Sequence, residues 1–187
     1  MGETMSTTLS ERTGTARVLG LIVLIFGAIF IVAGGVTWGA VSANLADEKI
    51  TVAPDASAFG GQDVNSPWTA FSQAMIIRHH ALTASNDKTY AELGAMISAK
   101  QADLKAAGKS ADEIAKDADV VKLQGQRTTV MNGSFLRASL FTSVIAFGVA
   151  LFAVGVGAVF ALIGWTLMKL SRPAAVATAA AREPVAV

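Results

Sequence analysis

The side chains of this sequence best suited to metal or acid–base chemistry are its two histidines, His79 and His80. Neighbours on a helix diverge by about 100°, so the two imidazoles cannot face one ion. Met75 and His79 do share a helical face, and a copper or haem centre can use such an i,i+4 pair. No third ligand converges with them, and the absence of cysteine removes thiolate sites and disulfides alike. The acidic clusters Asp47–Glu48, Asp112–Glu113 and Asp117 with Asp119 lie beside lysine or at helix starts, where carboxylates satisfy orphan amides and the helix dipole. Gly60-Gly61 lacks the strand, glycine and lysine context of a phosphate loop, and neither GxSxG nor HExxH occurs. The sequence predicts no catalytic, cofactor-binding or metal-ligating residue, no cofactor, and a non-enzymatic chain.

The more specific pattern is glycine at seven-residue spacing: Gly20, Gly27 and Gly34 in one apolar stretch, then Gly148 with Gly155 and Gly157 with Gly164 in another. Gly35 and Gly39 add a GxxxG pair. Small residues on one stripe let helix backbones approach closely where packing, rather than water exclusion, drives association. Two contacts can use such stripes: the helices packing on each other as a hairpin, or either helix packing on another subunit.

The segments that carry these glycines are membrane-like. Hydrophobic residues make up 52% and charged residues 16% of the 187 residues, a bias outside the usual range for soluble domains. Val18 to Ala46 and Ala138 to Met168 contain no charged residue or histidine. A hydrocarbon core about 30 Å thick needs roughly 20 apolar helical residues, so both stretches can span. The second, at about 1.5 Å per residue, reaches some 46 Å and has to tilt or project beyond the hydrocarbon. Arg12 and Arg17 form a basic n-region before the first stretch, but its apolar run exceeds a signal-peptide core, and retention as a span is expected.

Between the spans the composition turns polar. Ser42 to Arg137 carries ten Lys/Arg against eleven Asp/Glu, so no basic face for nucleic acid is indicated. Ile50 to Asp55, bounded by proline and followed by Gly60-Gly61, reads as an extended connector. Ser66-Pro67 starts a helix marked by Trp68, Phe71, Met75 and Leu82. Thr89 with Glu92 and Ser110 with Glu113 match capping boxes that open two more. Leu93, Met96, Ile97 and Leu104 mark the first of these, which ends at Gly108. Ile114, Ala118 and Val121 mark the next, continuing through Val130 to a break at Asn132-Gly133.

The expected fold is an all-α membrane protein: a two-helix transmembrane hairpin with an intervening, mainly helical extramembrane domain. Its expected divisions are a disordered cytoplasmic tail at 1–17, a first span at 18–41, an extracytoplasmic domain at 42–134, a second span at 135–168 and a second disordered tail at 169–187. Orientation follows from the flanks, where Arg12, Arg17, Lys169, Arg172 and Arg182 lie on the terminal sides. Both termini are therefore expected in the cytoplasm of a multi-pass cell-membrane protein.

Four strings resemble a family of small actinobacterial membrane proteins: Ala33-Gly34-Gly35-Val36-Thr37-Trp38, Leu45-Ala46-Asp47-Glu48-Lys49-Ile50-Thr51-Val52, Lys88-Thr89-Tyr90-Ala91-Glu92-Leu93 and Ser134-Phe135-Leu136-Arg137-Ala138-Ser139-Leu140-Phe141-Thr142-Ser143. The similarity covers both apolar stretches and the intervening domain except roughly Gly94 to Asp119, which reads as an insertion. Members of that family often carry the label aromatic ring-opening dioxygenase. An extradiol centre needs iron on two histidines and a carboxylate, a set that adjacent His79 and His80 do not provide. The resemblance implies a membrane protein and carries no functional residue over to this chain.

With the lipid bilayer as the first partner, the expected function is an accessory or scaffold subunit that contacts a membrane-protein partner or its own copies. A homo-oligomeric channel is the alternative, although the apolar stretches offer only hydroxyls such as Thr37, Ser139, Thr142, Ser143 and Thr166. A membrane-tethered metal-binding module or enzyme is the third reading.

Overall fold

The computed structural model describes residues 3–171, with side chains from Gly14 onward. Five helices follow one another: α1 (Glu3–Asp47), α2 (Pro67–Ala84), α3 (Tyr90–Ala106), α4 (Ala111–Ala115) and α5 (Ala118–Leu170). Among the described residues there is no strand, and a lone β-bridge joins Thr51 to Asp63. α1 and α5 are long and apolar enough to cross a membrane. Residues 3–17, expected to lack structure, form the first turns of α1. The expected tail beyond Ser171 lies outside the described residues.

The chain divides into two compact units. The first takes residues up to Val36 and from Ala150, and the second takes Thr37–Val149. In the first unit α1 and α5 pair antiparallel, with Gly20 against Gly164, Gly27 against Gly157 and Gly34 against Ala150. Phe30 and Phe160 meet edge to face with ring centroids 6.1 Å apart. Their outer faces are large and apolar: Val18, Ile25, Val32 and Val36 on α1, and Phe152, Leu162 and Leu170 on α5, are all exposed.

The second unit has a core of its own, in which Leu45, Val52, Val64, Ala70, Ala74, Leu140 and Phe147 cluster. Val52 and Val64 come from the connector, which is folded rather than merely extended. Val52 N–H donates to Gln62 O (2.8 Å), Val64 N–H to Ile50 O (2.9 Å) and Gly61 N–H to Val52 O (2.8 Å). Gly61 makes that last bond at φ +78°, where a side chain would be strained. The Gln73 amide oxygen of α2 accepts from Ala53 N–H, and Ser72 donates to Ala58 O, so the connector's free backbone groups are met by α2. Leu140 and Phe147 therefore sit in a connector-covered core although they belong to the uncharged stretch. The two compact units meet at 36/37 in α1 and at 149/150 in α5.

Helix ends follow the capping signals. Ser66 caps α2, Thr89 caps α3 and Ser110 caps α4, each also donating its backbone N–H to the side chain of the third helical residue. The expected third polar helix differs. It stops at Lys116, and a new helix starts because the Asp117 carboxylate accepts from both Asp119 N–H and Val120 N–H. The expected break at Asn132-Gly133 is absent, and α5 runs uninterrupted for 53 residues. Gly133 instead marks a close approach: a Cβ there would lie 2.8 Å from Ala81 Cβ of α2.

α2 buries its small side chains and leaves most of the residues that mark its helical spacing exposed. Its buried residues are Thr69, Ala70, Ser72, Ala74 and Ile76, whereas Trp68, Phe71 and Met75 are exposed. The small side chains face the connector and α5, where a bulky stripe would hold the backbones apart.

Gly125, also within α5, has open space around its Cβ position. Gly125→Ala is expected to raise stability by roughly 0.5–1 kcal/mol through helix propensity. Gly133→Ala, forced against Ala81, is expected to lower it instead, and thermal denaturation of the two purified variants compares the signs.

Candidate functional site

The nine glycines singled out in the sequence separate into two groups. Gly20, Gly27, Gly34, Gly157 and Gly164 lie on the seam between α1 and α5, and a Cβ on any of them would come within 3.0 Å of the opposite helix. At Gly27 it would lie 2.6 Å from both Gly157 O and Ala161 N, and at Gly164 2.5 Å from Gly20 O. Backbone touches backbone there, and only glycine permits it. Gly35, Gly39, Gly148 and Gly155 have nothing within 4 Å and lie on open faces. One stripe serves the pairing inside the chain; the other positions pack on nothing within it.

Three hydroxyls in the apolar stretch of α5 are satisfied locally. Thr142, Ser143 and Thr166 each donate to the carbonyl four residues earlier in α5.

His79 and His80 are both exposed on α2, with ring centroids 6.1 Å apart. His80 Nε2 lies 2.7 Å from the Asp55 carboxylate of the connector, and that hydrogen bond holds the Asp55 carboxyl below its ordinary range. Three or more metal-ligating groups do not come together anywhere among the described residues. Met75 and His79 remain a two-member face.

The acidic side chains are occupied at helix ends and surface pairs. Glu92 accepts from Thr89 N–H and Oγ1 (both 2.8 Å), which lowers its carboxyl pKa. Glu113 accepts from Ser110 N–H and Oγ at 2.9 Å and from Lys109 Nζ at 3.0 Å. The backbone bond from Ser110, followed by Lys109, takes Glu113 down to about 2. Asp119 pairs with Lys100 at 2.6 Å, which lowers the carboxyl and raises the ammonium.

A feature that no sequence motif marks is an open cavity of about 340 Å³ lined by α2, the first turn of α3 and α5. Arg78, Tyr90, Ser134 and Arg137 are among its lining residues, and Leu82 and Val130 are among its apolar walls. The Arg137 guanidinium lies 5.1 Å from the Phe141 ring, and its Nε is buried without a hydrogen-bond partner. On the other side of Tyr90, the Arg127 guanidinium stacks 4.0 Å from that ring, and its Nε is likewise buried and unpartnered. Arginine at the edge of an uncharged stretch was the available sequence signal, but only the fold brings Arg78 opposite it. A second cavity, of about 510 Å³, is lined by charges of both signs, including Lys88, Lys122 and Asp103.

No family model matches the chain, and no curated protein or solved structure is similar to it.

Two outcomes test this geometry. Gly27→Leu is expected to disrupt the seam and lower thermal stability in detergent by several degrees, whereas Gly155→Leu, on an open face, leaves it near wild type. The Glu113 cap adds stability to α4 that is complete above the ordinary carboxylate range near 4.5 and is lost as pH falls through about 2. NMR titration should find the Glu113 carboxyl still ionised at pH 3, with the amides of residues 111–115 shifting below that.

Proposed function

We propose that this chain is a two-span integral membrane protein that acts without catalysis, as an accessory or scaffold subunit of an envelope or membrane complex, and presents its helical unit outside the cytoplasm. One observation carries the membrane reading. The large exposed apolar side chains of α1 run from Val18 to Val36, about 28 Å of helix. Those of α5 in the same unit run from Leu151 to Leu170, also about 28 Å of rise. Both match a hydrocarbon core of about 30 Å. Water would not tolerate so continuous an apolar surface, whereas lipid demands it.

The flanks fit the same placement. Lys169 Nζ lies 4.1 Å over the Trp165 ring, the pairing of an interface aromatic with a snorkelling lysine. Arg17 and Lys169, at the terminal ends of the two apolar segments, favour the cytoplasmic side by the positive-inside rule.

The scaffold reading rests on how surface is divided. The seam glycines are consumed by pairing within the chain, while Gly35, Gly39, Gly148 and Gly155 leave small-residue faces open. Open faces of that kind suit a helix of another membrane subunit or a second copy. A pore would need a polar stripe, and of the α5 hydroxyls that could contribute to one, Thr142, Ser143 and Thr166 are bonded to their own backbone. A metal module would need a third ligand near His79 and Met75.

Single-cysteine variants test topology without interference, because the native chain has no cysteine. In intact cells Ser110→Cys is expected to react with a membrane-impermeant maleimide and Ser6→Cys only after permeabilisation. The opposite pattern would reverse the orientation. Crosslinking from Ser110→Cys, followed by mass spectrometry, is expected to recover a specific membrane protein. Recovery of this chain alone would transfer the proposal to a homo-oligomer, to be followed by conductance measurements.

A further inference from the structure

The cavity between α2, the start of α3 and α5 has properties that the scaffold reading does not use. Two arginines, the exposed Arg78 and the half-buried Arg137, are among the residues that line it. Neither belongs to any ion pair found among the described residues. Arg137 is held in place by Phe141 one turn along α5, and its buried Nε–H has no acceptor. A charged donor withdrawn from water without an acceptor is unfavourable, so such a group marks a place where an acceptor belongs. The capping carboxylate nearest in sequence to this lining, Glu92, is already committed to Thr89 at the start of α3.

The remaining walls define the other half of the ligand. Ala81, Leu82, Ala91 and Val130 are apolar, while Ser134 and Tyr90 bring hydroxyls. A volume of about 340 Å³ is at the small end of the ligand-site range of roughly 300–1,000 Å³. An inorganic anion would leave the apolar walls unused, and a neutral apolar molecule would leave the buried Nε–H of Arg137 unmatched.

We propose that this cavity binds a compact amphipathic anion, a carboxylate or phosphate joined to a short apolar body, with Arg137 and Arg78 holding the charged group. Arginine suits this task because its planar fork engages two anionic oxygens at once. Such an anion has two sources, a soluble molecule or the headgroup end of a membrane lipid, and the same experiment separates them.

The full chain is placed in phosphatidylcholine nanodiscs with ¹⁵N-labelled arginine and titrated with octanoate, octyl phosphate and, as the neutral control, octanol. The two anions are expected to shift the Nε–H resonances of Arg137 and Arg78 saturably and to raise the melting temperature, with octanol doing neither. Arg137→Gln is expected to weaken octanoate binding at least tenfold, and Lys105→Gln, exposed on α3 and away from the lining, to leave it within twofold. The wild-type contrast between octanoate and octanol stands even if Arg137→Gln fails to fold. In nanodiscs containing 30% phosphatidylglycerol, resonances already shifted and unresponsive to octanoate would identify a lipid as the occupant; resonances that still respond would identify a soluble anion. The proposal is overturned if octanol binds as well as octanoate, or if no probe and no lipid composition moves the Arg137 resonance.

Discussion

Direct contact between the backbones of α1 and α5 is the constraint on which the first unit depends. Two apolar helices in apolar surroundings gain little from excluding one another's neighbours, so their pairing relies on how closely their surfaces fit. At Gly27 and Gly164 the closest opposing atoms are carbonyl oxygens and amide nitrogens, and no side chain stands between the helices. The surrounding residues complete the fit: Ile31 covers Gly157, Leu24 covers Gly164 and Val154 covers Gly34. Large side chains placed beside glycine on the facing helix produce interlocking ridges and grooves, and the seven-residue period keeps those grooves on one line.

The second unit solves a different problem with a similar device. Its core is small, and apart from Phe147 its apolar positions with no exposed surface are Val, Ala or Leu: Val52, Val64, Ala70, Ala74, Leu93 and Val120. Small side chains on α2 let it lie close to α5 at Ala81 and Gly133, and the polar side chains of the same helix, Ser72 and Gln73, bond to the connector backbone. Close packing thus supplies both apolar contact and hydrogen-bond partners for a segment that otherwise has little regular structure. The outward position of Trp68, Phe71 and Met75 follows from this arrangement, since the face required for close approach cannot also carry aromatic bulk.

Capping chemistry was the most legible part of the fold in the sequence. Ser66, Thr89 and Ser110 each open the helix their spacing indicates, because a cap is a local interaction complete within four residues. The glycine period was legible for a related reason: a helix converts sequence spacing directly into a stripe. The side of α2 that faces inward was not legible. Hydrophobicity alone selects Trp68, Phe71 and Met75, whereas the interior selects for size, a property set by the distance to α5. Asn132-Gly133 misled in the same way, because a glycine that favours a turn in isolation is equally what a helix needs where another helix touches it. Asp117, one of the acids that the sequence sets beside lysine or at helix starts, accepts from the amides two and three residues on and opens α5.

The candidate ligand cavity was hidden for a reason that applies to sites built from several elements. Arg78 follows from the α2 sequence only as a neighbour of His79, and Arg137 only as the last charge before an uncharged stretch. Their convergence depends on α2 packing along α5 at Gly133, and the first turn of α3 then brings Tyr90 to the same opening. The histidines drew attention by residue type, yet the one with a structural partner, His80, is tied to Asp55 at the surface. Chemical potential in this unit therefore lies with groups whose partners are missing rather than with groups whose types are suggestive. A buried guanidinium nitrogen without an acceptor says more about what the protein meets than two imidazoles in water do.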